Sequence, residues 1–203
     1  MFDTLLQYLV SKWGVENALP PEAPPIDFFI GISYGMTRTN LTVATERITR
    51  LTAEMARAQQ APIIISCCEY LFRGAAFSEW QLRHRIFETF RVRYYRAGDM
   101  NNSMQESRQI LKCVSEHGLP TRHIGIVTGI GHSRFVSERY GKLFPNSKIT
   151  ITCVPFDSEY QPDHPAWIQR GPWRWLFAHV ARQILYHVRG EKMADMQHWV
   201  PKA

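Results

Sequence analysis

Five short runs of apolar, strand-forming residues alternate with helical patterns along this chain. The clearest run, at residues 62–66, is apolar at every position before Ser66. A strand without polar alternation is typical of a parallel sheet covered on both faces. The other runs occupy residues 26–32, 92–95, 124–128 and 148–154. This alternation predicts an α/β fold, with a doubly wound, mostly parallel five-stranded sheet and helices on both faces, which is a Rossmann-like architecture.

Helical patterns fill the spaces between these runs. Apolar residues recur at three- and four-residue spacing after Thr42, Ser78, Asn102, Gly131 and Gly171. An additional amphipathic pattern at residues 2–13 precedes a proline-rich stretch. We therefore predict an N-terminal helix and linker at 1–25, a single α/β domain at 26–190, and a polar C-terminal tail at 191–203.

Two terminal helices are predicted to bury apolar faces. In the first, the face consists of Phe2, Leu5, Leu6, Leu9, Val10 and Trp13. In the last, which begins at Pro172, a residue suited to a first helical turn, the face consists of Trp173, Leu176, Phe177, Val180, Ile184 and Leu185.

Composition narrows the class of protein. The 203 residues are 45% apolar and 21% charged, which suits one globular core rather than a disordered chain. No apolar run approaches the ~18 residues that span a bilayer. The first residues lack the basic start and small-residue cleavage site of a signal peptide, so a cytoplasmic location is expected.

The net charge of +6 raises the question of an anionic partner. Part of the excess is concentrated in Arg83, Arg85, Arg91, Arg93 and Arg96. Because no helix-turn-helix, zinc-finger or stacking motif accompanies these arginines, we interpret them as a basic, solvated face rather than a nucleic-acid footprint. The expected partner is a small molecule.

The strongest functional signal is the end of the fourth run, Thr128-Gly129-Ile130-Gly131-His132-Ser133-Arg134. Ligands bind outside the carboxyl ends of strands in open α/β sheets, and a new helix offers free N–H groups to an anion. Here His132 is a candidate acid or base, and Arg134 a candidate anion clamp. The alternatives are a histidine that caps its own helix and a surface arginine.

Other strand ends supply further candidate ligand-binding residues. Ser33, Tyr34 and Arg38 follow the first run, and Arg47 lies in the next helix. Ser66 and Cys67 end the second run. Asn102, Ser103 and Glu106 open a helix, where Ser103-x-x-Glu106 also matches a capping box, an entirely structural explanation.

The cysteines favour a reducing compartment. Cys67, Cys68, Cys113 and Cys153 include no Cys-x-x-Cys pair, so neither a disulfide framework nor a cysteine zinc site is predicted. Cys67 or Cys68 would be a nucleophile only with a nearby base such as His132 across adjacent strand ends. A buried, inert thiol is the commoner arrangement.

A long loop follows the last strand. Its Asp157, Glu159, Asp163 and His164 offer oxygen and nitrogen donors for a metal ion, but their spacing is not diagnostic and a solvated lid is favoured. Arg134 occupies the third glycine position of a Gly-x-Gly-x-x-Gly pattern, and no Walker lysine motif is present. Ordinary dinucleotide and P-loop sites are therefore disfavoured.

The strand-end motifs, taken in order, resemble a bacterial family of domains of unknown function that includes SanA, ElyC and YdcF. They are Asp27 to Gly31 with Arg47, Ser66-Cys67-Cys68, Asn102 to Glu106, and Val127-Thr128 with His132 and Arg134. The resemblance covers about residues 26–188. The family has glycines where this chain has Cys67 and Cys68, which limits how closely a ligand approaches the backbone there.

The resemblance implies a Rossmann-like fold and, through YdcF, S-adenosylmethionine binding. We expect a YdcF-like enzyme, a transferase or hydrolase, that binds S-adenosylmethionine or a phosphorylated metabolite at the strand ends. His132 and Glu106 would be its catalytic residues, and Arg134 and Arg47 would clamp the anion. The alternative is a non-catalytic small-molecule-binding or regulatory protein that uses the same crevice.

Overall fold

The structure is a computed structural model that describes residues 2–17, 24–68, 76–100, 103–164 and 166–189. Within these ranges, five strands form one parallel sheet in the order β3-β2-β1-β4-β5. The strands are β1 Phe28–Gly31, β2 Ile63–Cys67, β3 Tyr94–Asp99, β4 His123–Gly129 and β5 Lys148–Val154. The α/β, Rossmann-like fold is confirmed. Most of the proline-rich linker and the tail from residue 190 lie outside the described residues.

Six helices accompany the sheet in the described ranges. They are α1 Phe2–Trp13, α2 Val43–Gln59, α3 Glu79–Phe90, α4 Ser103–Glu116, α5 Ser133–Leu143 and α6 Pro172–Arg189. Two short 3-10 turns, Phe156–Ser158 and Trp167–Gln169, lie between β5 and α6. Among the described helices, none has the length and apolar content needed to cross a bilayer.

Helices cover both faces of the sheet, because its strands carry apolar residues on both sides. On one face, Phe29 and Ile63 pack against α2 and α3. On the other face, Phe28, Ile30 and Ile126 pack against α4 and α5. Gly125 of β4 makes room for the Phe29 ring, which a Cβ atom at that position would strike.

Local sequence signals place most element ends. Ser78 and Gln81 form a reciprocal capping box at the start of α3, with hydrogen bonds of 2.8 and 3.2 Å. Gly118, at φ 56°, follows α4 in the left-handed conformation that ends many helices. Strand β3 was predicted at 92–95 but runs over Tyr94–Asp99, because an edge strand tolerates the polar residues that its second half contains.

The prediction for the buried face of α6 is wrong in part. Trp173, Phe177 and Val180 are 51%, 76% and 50% exposed, whereas Trp175 is only 3% exposed. Trp175 packs with Phe156, against which Leu6 and Val10 of α1 also pack. The side chains of Ile184 and Leu185 lie outside the description.

Helix α1 docks on its own chain through a narrower stripe than predicted. Leu6 and Val10 are buried, whereas Leu5, Leu9 and Trp13 are about half exposed. The side chain of Phe2 is not among those described. Periodicity therefore located both terminal helices but overestimated the area that each of them buries.

Candidate functional site

The sheet order reverses direction between β1 and β4, and this switch point is where open α/β sheets bind ligands. In this chain the position holds an internal carboxylate. Glu159, from the loop after β5, accepts a 2.6 Å hydrogen bond from the Gly131 N–H and a 3.0 Å hydrogen bond from the Tyr34 hydroxyl. A Cβ atom on Gly129 would collide with the Glu159 side chain. The Gly-x-Gly turn that we predicted for an external anion thus holds the protein's own Glu159 carboxyl group.

Burial dominates the electrostatics at this point. It raises the pKa of Glu159 to about 8, against the opposing effect of the two hydrogen bonds. Burial and the nearby Glu159 charge also raise the pKa of Tyr34 well above its usual value. His164 hydrogen-bonds the Tyr34 carbonyl at 3.0 Å, and burial lowers the pKa of its imidazole to about 4. The loop is therefore pinned over the switch point by buried polar contacts.

A second buried polar group lies beside the ends of β1 and β2. Glu79 and Arg83 of α3 form an ion pair of 3.2 Å, and both side chains are fully buried. The Arg83 guanidinium also donates to the carbonyl oxygens of Gly31 at 2.8 Å and Ser66 at 3.3 Å. A Cβ atom on Gly31 would stand 2.8 Å from the guanidinium, so only glycine permits this approach.

Glu79 ties the pair to the end of β2. Its carboxylate accepts a 2.8 Å hydrogen bond from the backbone N–H of Cys68. Burial raises the pKa of Glu79, while Arg83 opposes that shift. The ion pair thus joins α3 to two strand ends, which gives it a positioning role at the carboxyl edge of the sheet.

Glu106 of α4 adds a second carboxyl group near the Glu79–Arg83 ion pair. The residue is 4% exposed, and the backbone of Ser33 hydrogen-bonds its carboxyl group. Burial raises the pKa of Glu106 to about 8, although Ser33 and the positive charge of Arg83 oppose the shift. The Oε1 atom has no hydrogen-bond partner among the described residues. We call Glu79, Arg83, Glu106, Ser33 and Ser66 the Glu106 cluster.

The capping-box explanation of Glu106 is wrong. Ser103 is the first residue inside α4 rather than the residue before it, and the Glu106 side chain turns into the protein. A capping box requires the serine at the preceding position. The residue before Ser103, Asn102, lies outside the described residues.

Further polar atoms around the Glu106 cluster have unused hydrogen-bonding capacity. The hydroxyls of Ser66 and Tyr140 are buried and have no hydrogen-bond partner within the described ranges. Burial raises the pKa of Tyr140, and the charge of Glu106 raises it further. Arg139 of α5 contributes a positive field that lowers the pKa of Glu106. Buried polar atoms with unused capacity are uncommon, and they often mark functional positions.

The three arginines predicted near a ligand have other environments. Arg134 donates a 3.0 Å hydrogen bond to the Trp13 carbonyl and lies over the Trp13 ring, so it holds the end of α1. Arg47 pairs with Asp157 at 3.3 Å and with the Ser158 hydroxyl at 2.5 Å. Arg38 is exposed in a bend. These three guanidinium groups therefore do not point towards one shared anion-binding position.

His132 lies at the predicted strand end, just before α5. Its side chain does not cap the helix, which contradicts the capping alternative. The ring is half-buried and stands edge-on to Tyr34, with 6.0 Å between the ring centroids. His132 therefore adjoins the switch point that Glu159 fills.

The thiol hypothesis loses its proposed base. Cys67 ends β2 and His132 follows β4, but β1 lies between those two strands. They are not at adjacent strand ends as the hypothesis required. Cys67 and Cys68 are both buried, which agrees with the structural interpretation of these residues.

The candidate metal donors of the loop after β5 point to different partners. Asp157 faces Arg47, Asp163 accepts a hydrogen bond from Gln161, and Glu159 and His164 point inward to different partners. Across the described residues, no group of three His, Cys, Asp or Glu side chains is arranged to hold a metal ion. The inward-facing Glu159 and His164 also contradict a fully solvated lid.

Sequence reasoning missed Glu79, Arg83 and Tyr140, and it placed Arg83 on a solvated basic face. Arg83 is fully buried, whereas Arg85, Arg91, Arg93 and Arg96 are exposed as predicted. One available signal was the four-residue spacing of Glu79, Arg83 and Phe87. Residues at that spacing share a helix face, so the charged pair lies in line with a core phenylalanine.

Comparisons with family models, with curated proteins and with solved structures gave no match. The resemblance to the SanA, ElyC and YdcF family is therefore carried by the strand-end motifs alone.

Proposed function

We propose that this chain is an enzyme in which Glu106 transfers a proton to or from a small ligand held at the carboxyl ends of β1, β2 and β4. The observation that carries this proposal is a carboxyl group buried at the ligand-binding edge of the fold. Within the described ranges it hydrogen-bonds the Ser33 backbone, and Arg83 and Arg139 act on it only through their charges. Structural carboxylates are usually fully hydrogen-bonded or exposed.

The electrostatics of Glu106 suit acid–base chemistry. A pKa of about 8 keeps most of the group protonated at neutral pH while leaving a usable ionised fraction. Catalytic groups work best when their pKa lies near the operating pH. Arg83 and Glu79 then act as positioning residues, because they fix the strand ends around the carboxyl group.

The ligand we propose is S-adenosylmethionine or a phosphorylated metabolite. The two are expected to differ in whether Glu106 releases or takes up a proton when the ligand binds. The cluster holds two carboxyl groups and one guanidinium group. A cationic ligand such as S-adenosylmethionine favours the ionised form of Glu106 and would release a proton on binding. A phosphate favours the protonated form and would take one up. Isothermal titration in two buffers with different ionisation enthalpies measures the sign.

Ligand identification comes first. Native mass spectrometry of freshly purified protein, followed by thermal-shift screening against adenosyl compounds, nucleotides and phosphorylated sugars, would reveal a ligand through the stabilisation it confers. Product formation is then measured by mass spectrometry. Binding without any product in the wild-type protein would favour the non-catalytic alternative and contradict an enzyme.

Glu106→Gln is expected to lower product formation by about 10²- to 10⁴-fold, since an amide cannot exchange the proton. The melting temperature should stay the same or rise at neutral pH, because the amide replaces a largely protonated carboxyl group of similar shape. Glu116→Gln, at an exposed position of the same helix, is the matched control and should keep full activity.

His132→Ala distinguishes the two candidate proton carriers. If Glu106 carries the proton, the variant should lose less than about tenfold in turnover, because His132 packs against Tyr34 at the neighbouring switch point. This range lies below the usual cost of removing an acid–base group. Loss of turnover in His132→Ala, with activity retained in Glu106→Gln, would overturn the assignment and restore His132 as the acid or base.

A further inference from the structure

Helix α6 presents an apolar stripe to solvent. Trp173, Phe177 and Val180, at four- and three-residue spacing, are 51%, 76% and 50% exposed. Together with Trp167 of the preceding 3-10 turn, which is 55% exposed, they line an open groove of about 510 Å³. We call these four residues the α6 stripe. Contiguous exposed patches of this kind mark interaction surfaces more often than single exposed residues do.

The α6 stripe is exposed even though helix α6 is docked on the domain. Trp175, on another side of α6, is buried against Phe156, with 4.9 Å between the ring centroids. Its indole also occupies the space over Gly131, where a Cβ atom would collide with it. The helix is therefore anchored to the domain through Trp175 while the α6 stripe faces outward.

Among the described side chains, a positive charge borders the stripe. Helix α6 contains Arg174, Arg182 and Arg189 in its sequence and no aspartate or glutamate. The exposed Arg174 lies over the ring of Trp167 at 5.1 Å, which places a positive charge at the edge of the apolar groove. The chain as a whole has a net charge of +6. A partner of this surface must therefore accept both aromatic side chains and positive charge.

An anionic lipid bilayer meets both requirements. Tryptophan and phenylalanine enter the boundary between headgroups and acyl chains, while arginines contact the phosphates. Pairing α6 with α6 of a second copy would instead bring two helices together that have arginines and no acidic residue. We propose that the α6 stripe lies on an anionic membrane surface, with α6 in the plane of the headgroups.

Vesicle co-sedimentation of the full chain tests this proposal. The protein is expected to bind phosphatidylcholine vesicles that contain phosphatidylglycerol and to bind pure phosphatidylcholine vesicles much more weakly. Added salt should reduce the binding. Phe177→Ser should weaken partitioning into the vesicles about tenfold or more, since the phenylalanine side chain that the membrane would bury is lost. Arg174→Gln should weaken it about fivefold.

The control is Leu111→Ser, at a 39% exposed position on α4, which should leave vesicle binding unchanged. The melting temperature of Phe177→Ser should match that of the wild type, because the side chain is largely in solvent. Equal binding to both vesicle types, or undiminished binding by Phe177→Ser, would overturn the proposal. So would a dimer in sedimentation velocity without vesicles that Phe177→Ser dissociates, because the stripe would then be a self-contact.

Discussion

Arg83→Met is expected to lower the free energy of unfolding by about 3–5 kcal/mol, the usual cost of removing one partner of a buried ion pair. The substitution leaves the Glu79 carboxylate without its guanidinium partner. It also removes hydrogen bonds to the carbonyl oxygens of Gly31 and Ser66. Urea unfolding followed by circular dichroism measures the loss, which corresponds to a fall of roughly 10 °C in melting temperature.

Two comparisons separate this mechanism from a loss of packing. Arg85→Met, at an exposed position on the same helix, should change stability by less than about 0.5 kcal/mol. Adding Glu79→Gln to Arg83→Met should recover part of the loss, since no unpaired charge then remains. The destabilisation should also be smaller at pH 5 than at pH 8, because the isolated Glu79 takes up a proton. An Arg83→Met variant as stable as the wild type would contradict the buried ion pair.

Stability is expected to fall as the pH rises from 6.5 to 8. Burial raises the pKa of both Glu106 and Glu159 to about 8, far above the ordinary value of a glutamate in the unfolded chain. In this window the folded state binds more protons than the unfolded state, so each pH increment favours unfolding. Each carboxyl group should lower the free energy of unfolding by about 1.6 kcal/mol over the window.

The window is chosen to exclude His164. Burial lowers the pKa of this histidine to about 4, so the unfolded state binds the extra proton between pH 4 and 6.5 and stability rises with pH there. Above pH 6.5 this opposing contribution is small, about 0.4 kcal/mol, because the unfolded histidine is half protonated at pH 6.5 and loses its proton by about pH 7.5. Urea unfolding at intervals between pH 6.5 and 8 therefore reports the glutamates.

Glu159→Gln and Glu106→Gln should each remove a similar and substantial part of the pH dependence. The amide oxygen introduced by Glu159→Gln would still accept the hydrogen bond from the Gly131 N–H, and its NH2 group can donate to the Tyr34 hydroxyl oxygen, so the loop can keep its position. Glu116→Gln, an exposed control, should keep the wild-type slope. A wild-type protein whose stability is flat over this range would contradict the burial of both carboxyl groups.

The fold was predictable because its signals are local. The apolar runs located all five strands, and β5 runs over residues 148–154 as predicted. Ser78 precedes the start of α3 and Gly118 follows the end of α4, and both caps depend on neighbouring backbone groups. Strand β3 was the least accurate, because an edge strand has polar positions that do not form an apolar run.

The candidate site was predictable only by region. Strand ends pointed to the carboxyl edge of the sheet, where the Ser33 backbone hydrogen-bonds Glu106 and Arg83 hydrogen-bonds the Ser66 carbonyl. The individual roles depended on contacts between distant segments. Arg134 and Arg47 have the chemistry of anion clamps, but in the fold Arg134 hydrogen-bonds Trp13 and Arg47 pairs with Asp157.

The sequence by itself determined the class of fold, the parallel sheet and the edge at which polar groups collect. Hydrophobic periodicity and capping residues act within a few neighbouring positions, so the chain alone contains that information. Only the tertiary structure decided that Glu79 and Arg83 are buried, that Glu159 occupies the Gly-x-Gly turn and that Phe177 faces solvent. A charged or apolar side chain has the same local preferences in either environment, and packing between distant segments decides which one it occupies.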